Sequence, residues 1–584
     1  MIRPCCFYCM CAALSWLLTM QAGGTDPKRT ASSRQGVIKP EFFALNGVGY
    51  FHYRDSPEAS QTAKRKMALM KGIGAASDRC DFWWSVLEPK RGTWDWRKGD
   101  WLMDFYSRQK MDALPILSYS AIWSPDRCPA TPDDIRDYAN YVFLAVNRYK
   151  DKVKCWEVWN EPNIPTFWKP EPNVAAYSLM LKAAYEAAHK ADPGCVIVGG
   201  ATSETDINWF LGIAEHGALH CMDVASFHPY SMADGPDEMD LGRQIDNMRS
   251  LLNRNGLTTM PLWITEMGWQ ADPAKPKEVD AQARYMAQSY AIAAARGVER
   301  LYWFNLQDWM EDGKPMGWGL ASKELRLKRS AQAFKVMRSK LEGKKFRGYA
   351  LFAEAKPGTE SAGYVFDDMM IAWAPRGRSL SIICKASAVT DIYGTSIPVK
   401  DNNVVLTDSP LYVDLADKGF PVVSDPPRKA NLLVNSSFDM DGAQPYAWHR
   451  GMFYGGDDKG GYGVSTTCTV DGGRAAVLSK TENALWQSYP VPAMPGEEYT
   501  LRASIKADHA TGENCVQILY LSGPGWGYKG GPKTESITGS TEGWKLVEVK
   551  GTVPHDADVV RVNLVSKNNT GTAYFDNLTL MRKE

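Results

Sequence analysis

The chain has no excess of either charge: across its 584 residues, 67 Lys plus Arg stand against 67 Asp plus Glu. A nucleic-acid or anionic-membrane partner would call for a basic surplus to neutralise its phosphates, so neither is expected. Long apolar runs are missing too. The longest, "CAALSWLLTM", lies within the first two dozen residues and is too short to span a bilayer. Cysteine is sparse and scattered, and no pair has the spacing of a metal site. No short repeat and no low-complexity tract interrupts the chain. These absences leave a globular protein of several domains.

Tryptophan is abundant. Of 21 residues, 15 fall between Trp83 and Trp318. An indole offers a flat apolar face and one donor, which suits both core packing and stacking on sugar rings. Residues 1–24 read as a secretion signal, with Arg3 as the positive start, the short apolar run, and small residues near Ala22. The competing reading is an N-terminal anchor. Secretion would place the protein outside the cell or in the periplasm. Four of the twelve Cys (Cys5, Cys6, Cys9, Cys11) would leave with the signal; of the rest, Cys468 and Cys515 could bridge in the last domain.

Residues 37–343 alternate apolar runs with amphipathic stretches. The runs are "FFALNGVGYF", "GAASDRCDFWW", "ALPILSYS", "KCWEVWN", "CVIVGG", "MDVASFHPY", "PLWITEMGW" and "RLYWFNLQDW". Between them, apolar residues recur every three or four positions, as on helices that bury one face. Eight strand–helix units predict an α/β fold, a closed (β/α)8 TIM barrel. Residues 344–425 change to short alternating runs and a Pro-containing linker, which reads as a small antiparallel β-sandwich. Residues 430–584 are again β-patterned, with Gly-rich turns such as "GPGWGYKGG".

In such a barrel function sits where strands end. Arg79 ends the second strand, Asn160 and Glu161 the fourth, His228 and Tyr230 the sixth, and Glu266 the seventh; Trp303 lies on the eighth. Each is costly to bury alone. Two carboxylates on facing strands point to acid/base and nucleophilic work on a glycosidic bond. Glu161 is the expected acid, since Pro162 turns the chain out of the sheet and leaves its carboxyl at the rim. Glu266 is the expected nucleophile, held charged by Arg79 and Tyr230. His228 reads equally as a hydrogen-bonded core histidine and as a site contact. Trp84, Trp123, Trp168, Trp269 and Trp309 lie beyond strand ends and are the candidate sugar platforms. No cofactor or metal is required for this chemistry.

"WNEPN" and "WITEMGW" resemble the acid/base and nucleophile motifs of the clan A glycoside hydrolases. The run from "WEVWNEPN" to "CVIVGG", with "FHPY", is similar to glycoside hydrolase family 39. The resemblance implies a retaining double displacement, with Asn160 on the sugar 2-OH, and a polysaccharide or oligosaccharide substrate. An exo-acting β-xylosidase-like enzyme is the alternative within that class; a non-catalytic glycan-binding protein on an inactivated barrel is the alternative outside it. From Asn431 the chain resembles the jelly-roll carbohydrate-binding modules of the family 4/9 type, its "AYFDNLTL" being the nearest match. That implies sugar stacking by Trp448, Trp486 or Trp526, and a structural calcium near Asp576.

Overall fold

The computed structural model describes residues 36–48, 57–124, 127–231, 233–352, 362–416, 421–426, 430–440, 444–451 and 460–583. The segment read as a secretion signal lies outside the described residues. Among them no helix is long and apolar enough to cross a membrane.

Eight parallel strands close into a barrel: β1 (Phe43–Asn46), β2 (Ser77–Trp83), β3 (Asp112–Ser118), β4 (Cys155–Val158), β5 (Val196–Ser203), β6 (Val224–His228), β7 (Leu262–Met267) and β8 (Arg300–Phe304). They pair in chain order, and β8 returns to β1 with Ala44 opposite Tyr302. All eight coincide with the apolar runs of the sequence. Such strands are covered on both faces, which is why they read as near-continuous apolar stretches. Helices return the chain between them, and several begin at a built cap. Thr131 and Asp134 form a capping box at the start of helix Pro132–Tyr149, while Asn173 and Asp206 cap helices Val174–Ala191 and Ile207–Glu215. Each cap satisfies helix amides that would otherwise be orphaned, and each fixes the loop after β3, β4 or β5.

The barrel interior is layered. Ala44, Leu114, Cys155, Val198, Val224, Trp263 and Tyr302 form an apolar floor. The Arg300 guanidinium lies over the Trp263 ring at 4.2 Å and pairs with Asp112. Two residues further along the strands the inward positions turn polar, with Asn46, Arg79, Glu157, Ser226 and Thr265 all buried. A buried charge is tolerated only when paired and hydrogen-bonded, so this layer must satisfy itself.

Residues 346–415 form a five-stranded antiparallel sheet and a two-stranded sheet around their own core of Met370, Ile382, Val389, Val404, Leu406 and Val413. Lys340 of the last barrel helix pairs with Asp414 at 2.9 Å, and the Arg329 guanidinium stacks on Tyr393 at 3.7 Å. The C-terminal domain is an antiparallel β-domain organised by two long strands, Ala475–Ser488 and Val559–Arg582, paired over most of their length. Glu513–Ser522 flanks one end of Val559–Arg582 and Glu498–Asp508 the other. The domain is fastened to the barrel by Arg243, whose Nε donates to the Pro492 carbonyl at 2.8 Å and whose Nη2 reaches both Glu497 oxygens at 2.6 Å.

Two expectations for this domain change. Trp448 and Trp486 are buried in its core beside Leu501 and Phe575, so neither offers a ring face for stacking. Cys468 and Cys515 are both free thiols. Asp576 is buried and its oxygens accept the backbone N–H groups of Val470 (2.7 Å) and Asn577 (2.6 Å), which ties two segments together. No group of three His, Cys, Asp or Glu side chains converges there among the described residues.

Candidate active site

Glu161 reaches the barrel mouth through an irregular turn. β4 stops at Val158, then Trp159 and Glu161 take left-handed conformations (φ 67° and 43°). Such backbone costs about 1–2 kcal/mol per non-glycine residue and persists only where neighbours hold it. Here β5 does so. A bulge between Gly200 and Thr202 shifts the register against β6, and the Ala201 carbonyl it presents accepts the Glu161 N–H at 2.9 Å. The Ala201 N–H in turn donates to Ser226 Oγ at 3.1 Å. Gly200 is required at the bulge: it sits at φ 98°, and a Cβ would meet Phe210 Cζ at 2.4 Å and the Ser226 carbonyl oxygen at 2.6 Å. Asn163, the second Asn of "WNEPN", locks the loop by bonding both backbone groups of Ser203 and the Asp206 carboxylate.

Two carboxylates converge on one imidazole. His228 Nδ1 lies 3.0 Å from Glu161 Oε1 and 3.1 Å from Glu266 Oε2. Two acceptors on one ring nitrogen require that Nδ1 carry the proton. The facing atoms of Glu161, His228 and Glu266 all lie within 4.8 Å of one another. His228 Nε2 meets Thr265 Oγ1 at 3.0 Å. Arg79 completes the set from the polar layer: Nε donates to Glu157 at 2.5 Å, Nη2 to Asn160 Oδ1 at 2.8 Å and Nη1 to Asn46 Oδ1 at 3.3 Å, and Nη1 stands 3.7 Å from Glu266. Ser226 Oγ donates to the other Glu157 oxygen at 3.2 Å.

The charges follow from this geometry. Burial pushes the Glu266 carboxyl up, but the His228 and Arg79 charges outweigh it and hold the group below the usual carboxylate range. Burial pushes the imidazole down, but Glu266 and then Glu161 more than offset that and leave it up at about 9. Beyond Arg79, burial pushes Asp81 up to about 6. Two cations, Arg79 and the imidazolium, therefore face the three carboxyls of Glu157, Glu161 and Glu266.

The structure brings Arg79, Asn160, Glu161, His228 and Glu266 together. His228 and Arg79 act on Glu266; Tyr230 is half-buried, with its ring edge-on to Trp318 at 5.6 Å. Trp303 is fully buried behind the half-buried Trp269, ring centres 5.9 Å apart. Among the expected sugar platforms, Trp84 and Trp168 are core residues. Trp84 stacks on Tyr141 and gives its indole N–H to Glu88, and Trp168 is enclosed by Trp159 and Tyr177. Trp123, Trp269 and Trp309 keep part of their surface exposed. Sequence reasoning missed Asn46, Glu157, Ser226 and Thr265. The available signal was Glu157 itself, a carboxylate amid apolar neighbours on a strand covered on both faces.

Glu161, His228 and Glu266 form the one group of donor side chains close enough to hold a metal ion among the described residues. His228 could ligate through Nδ1 only by giving up the proton that faces both carboxylates, and an imidazole held at about 9 resists that loss.

A family model described as a glycosyl hydrolase catalytic core matches residues 131–334. A β-xylosidase of Geobacillus stearothermophilus is 25% identical over 182 residues, which is 27% of this chain and 36% of that protein. Endo-1,4-beta-xylanase 3 of Hypocrea jecorina is 24% identical over 157 residues, 26% of this chain and 43% of that one. The chain thus spans less than half the length of these relatives. A solved family 39 glycoside hydrolase from the gut symbiont Bacteroides cellulosilyticus WH2 superposes with a TM-score of 0.53 at 20% identity, covering 62% of this chain and 79% of its own. At that identity the likeness is one of fold.

Proposed function

We propose that the chain is a retaining glycoside hydrolase that cleaves β-glycosidic bonds in a polysaccharide or other large glycan. One observation carries the reading: two carboxylates from opposite sides of the barrel meet across His228, their facing atoms within 4.8 Å. Retaining enzymes hold their carboxyl groups about 5–5.5 Å apart, whereas inverting ones leave about 6.5–9.5 Å for a water. The match to a glycosyl hydrolase core supports the reaction class.

Glu266, kept ionised by His228 and Arg79, attacks the anomeric carbon. Glu161, as the general acid, gives a proton to the departing oxygen. Once Glu266 becomes an ester its negative charge is gone, and Glu161, now an anion, takes a proton from the water that frees the sugar. Asn160, with Oδ1 occupied by Arg79, keeps its Nδ2 donors for the sugar 2-OH. The relatives' names make β-1,4-xylan the first substrate to try. Residues 1–24 are read as a secretion signal, which suits a polymer too large to enter a cell.

The test is the anomer of the first product, followed by proton NMR on xylan and a panel of other β-glycans. Retention is expected; an inverted product removes Glu266 as nucleophile. Glu266→Ala is expected to lower kcat about 10⁴-fold or more. Wild-type protein that binds a glycan and releases nothing from it would be a binding protein instead. A ladder of oligosaccharides marks internal cleavage, and a single sugar marks exo action.

A further inference from the structure

The C-terminal domain reaches the barrel mouth. Between the two lies a small cleft that opens to solvent. Its barrel wall includes Glu204, Tyr230 and Gln244, and its other wall includes Trp526 and Asp558. Glu204 directly follows β5 and forms a bridge pair with His228. The cleft therefore opens beside the catalytic pair. It lies on the Glu161 side, because the bulge preceding Glu204 holds the Glu161 amide, and the Glu161 charge acts on Glu204.

The far wall is a built surface. Trp526 sits at the tip of the hairpin that pairs Leu521 with Tyr528. The Arg561 guanidinium lies on its ring at 4.4 Å. The hairpin tip is held by Asp558, whose Oδ1 accepts the Gly523 N–H at 2.7 Å. Asp558 is only 3% exposed, and its Oδ2 has no hydrogen-bond partner among the described residues. The seam also holds three carboxyls, those of Glu204, Asp206 and Asp558, against the one guanidinium of Arg561, which is engaged on a ring. Such a wall suits neutral hydroxyl groups and gives a ligand carboxylate no favourable ion pair.

We propose that this seam is a leaving-group subsite for a neutral pyranose ring, stacked on Trp526 and hydrogen-bonded by Glu204, so that the C-terminal domain forms part of the substrate cleft. This rests on the hydrolase reading above. Burial pushes Glu204 up to about 7, which leaves its carboxyl able to donate as well as accept near neutral pH.

The test is calorimetric binding on the inactivated Glu266→Gln protein, with xylohexaose, cellohexaose, laminarihexaose and a glucuronate-substituted xylo-oligosaccharide as probes, beside cleavage of the same probes by wild type. A neutral hexasaccharide that wild type cleaves should bind. Adding Trp526→Ala should weaken it about tenfold, adding Trp526→Phe should recover most of the loss, and the substituted probe should bind less tightly than its plain counterpart. Melting curves show that each variant is folded. Cleavage by wild type with an affinity indifferent to Trp526 overturns the subsite and leaves the hydrolase standing. A panel neither bound nor cleaved overturns both.

Discussion

His228 makes stability depend on pH in a direction that can be worked out in advance. Its imidazolium is buried between two carboxylates and held at about 9, against an ordinary value of 6.5. The folded state therefore binds this proton more tightly than the unfolded state does. The resulting stabilisation is fully present below about pH 6.5 and is lost as pH rises through about 9. The rise of about 2.5 units corresponds to about 3 kcal/mol at its fullest, and about 2 kcal/mol of that disappears between pH 7 and 9. The side chain has no exposed surface, so solvent does not screen the effect. The assay is urea unfolding followed by tryptophan fluorescence at pH 6, 7, 8 and 9, on wild type and on His228→Gln. The variant should be less stable throughout, and its curve should lack the extra 2 kcal/mol fall above pH 7. Asp558, which burial also pushes up, titrates in both proteins, so the difference between them isolates His228. Parallel curves would show that the imidazole is neutral in the fold and that the charge assignment of the site is wrong.

Gly200→Ala should destabilise the chain by at least about 3 kcal/mol in the same unfolding assay, because the new methyl group has Phe210 and the Ser226 carbonyl in its place. Residual activity should fall further than stability does, since the bulge also positions Glu161. Arg79→Lys keeps a positive charge but loses the fork that joins Glu157, Asn160 and Asn46; kcat should fall about 100-fold, read with any substrate found for the wild type. Arg243→Ala removes the charged contacts to Glu497 and Pro492 and should cost about 2 kcal/mol. Calorimetry should then resolve the C-terminal domain as a separate, earlier transition; a single unshifted peak would show that the contact adds nothing to docking.

The barrel was legible because parallel strands covered on both faces leave long apolar runs, and the second, fourth, sixth and seventh of these ended in polar residues that had no reason to be there unless used. Arg79, Asn160, Glu161, His228 and Glu266 were found in that way. What the sequence could not display was register. Glu157 and Arg79 are 78 positions apart and become partners only when β2, β3 and β4 align to place both side chains on the inner face. The bulge at Gly200 was equally hidden, as "GG" is consistent with a turn, a close approach or neither. The tryptophans failed for a different reason. A position beyond a strand end lies near the mouth, but whether it faces solvent depends on what folds over it. Trp84 starts the short helix Trp84–Leu87 and is covered by Tyr141 and Tyr138, while Trp168 is covered by Trp159 and by Tyr177 of the following helix. The Trp-bearing hairpin of the last domain could be suspected as a sugar contact, but its place beside the barrel mouth needed the tertiary fold.

The hydrogen bond from the Glu161 amide to Ala201 has a consequence for redesign. Glu161, the proposed proton donor, follows one strand, yet its height and tilt are set by the strand beside it. An engineer who wished to widen the gap, so that a water could fit and the stereochemical outcome reverse, would gain little by lengthening the Asn-Glu-Pro turn itself. The lever is the kink next door: straightening β5 would let Glu161 drift outward while Glu266, anchored on β7 by an imidazole and a guanidinium, stayed put.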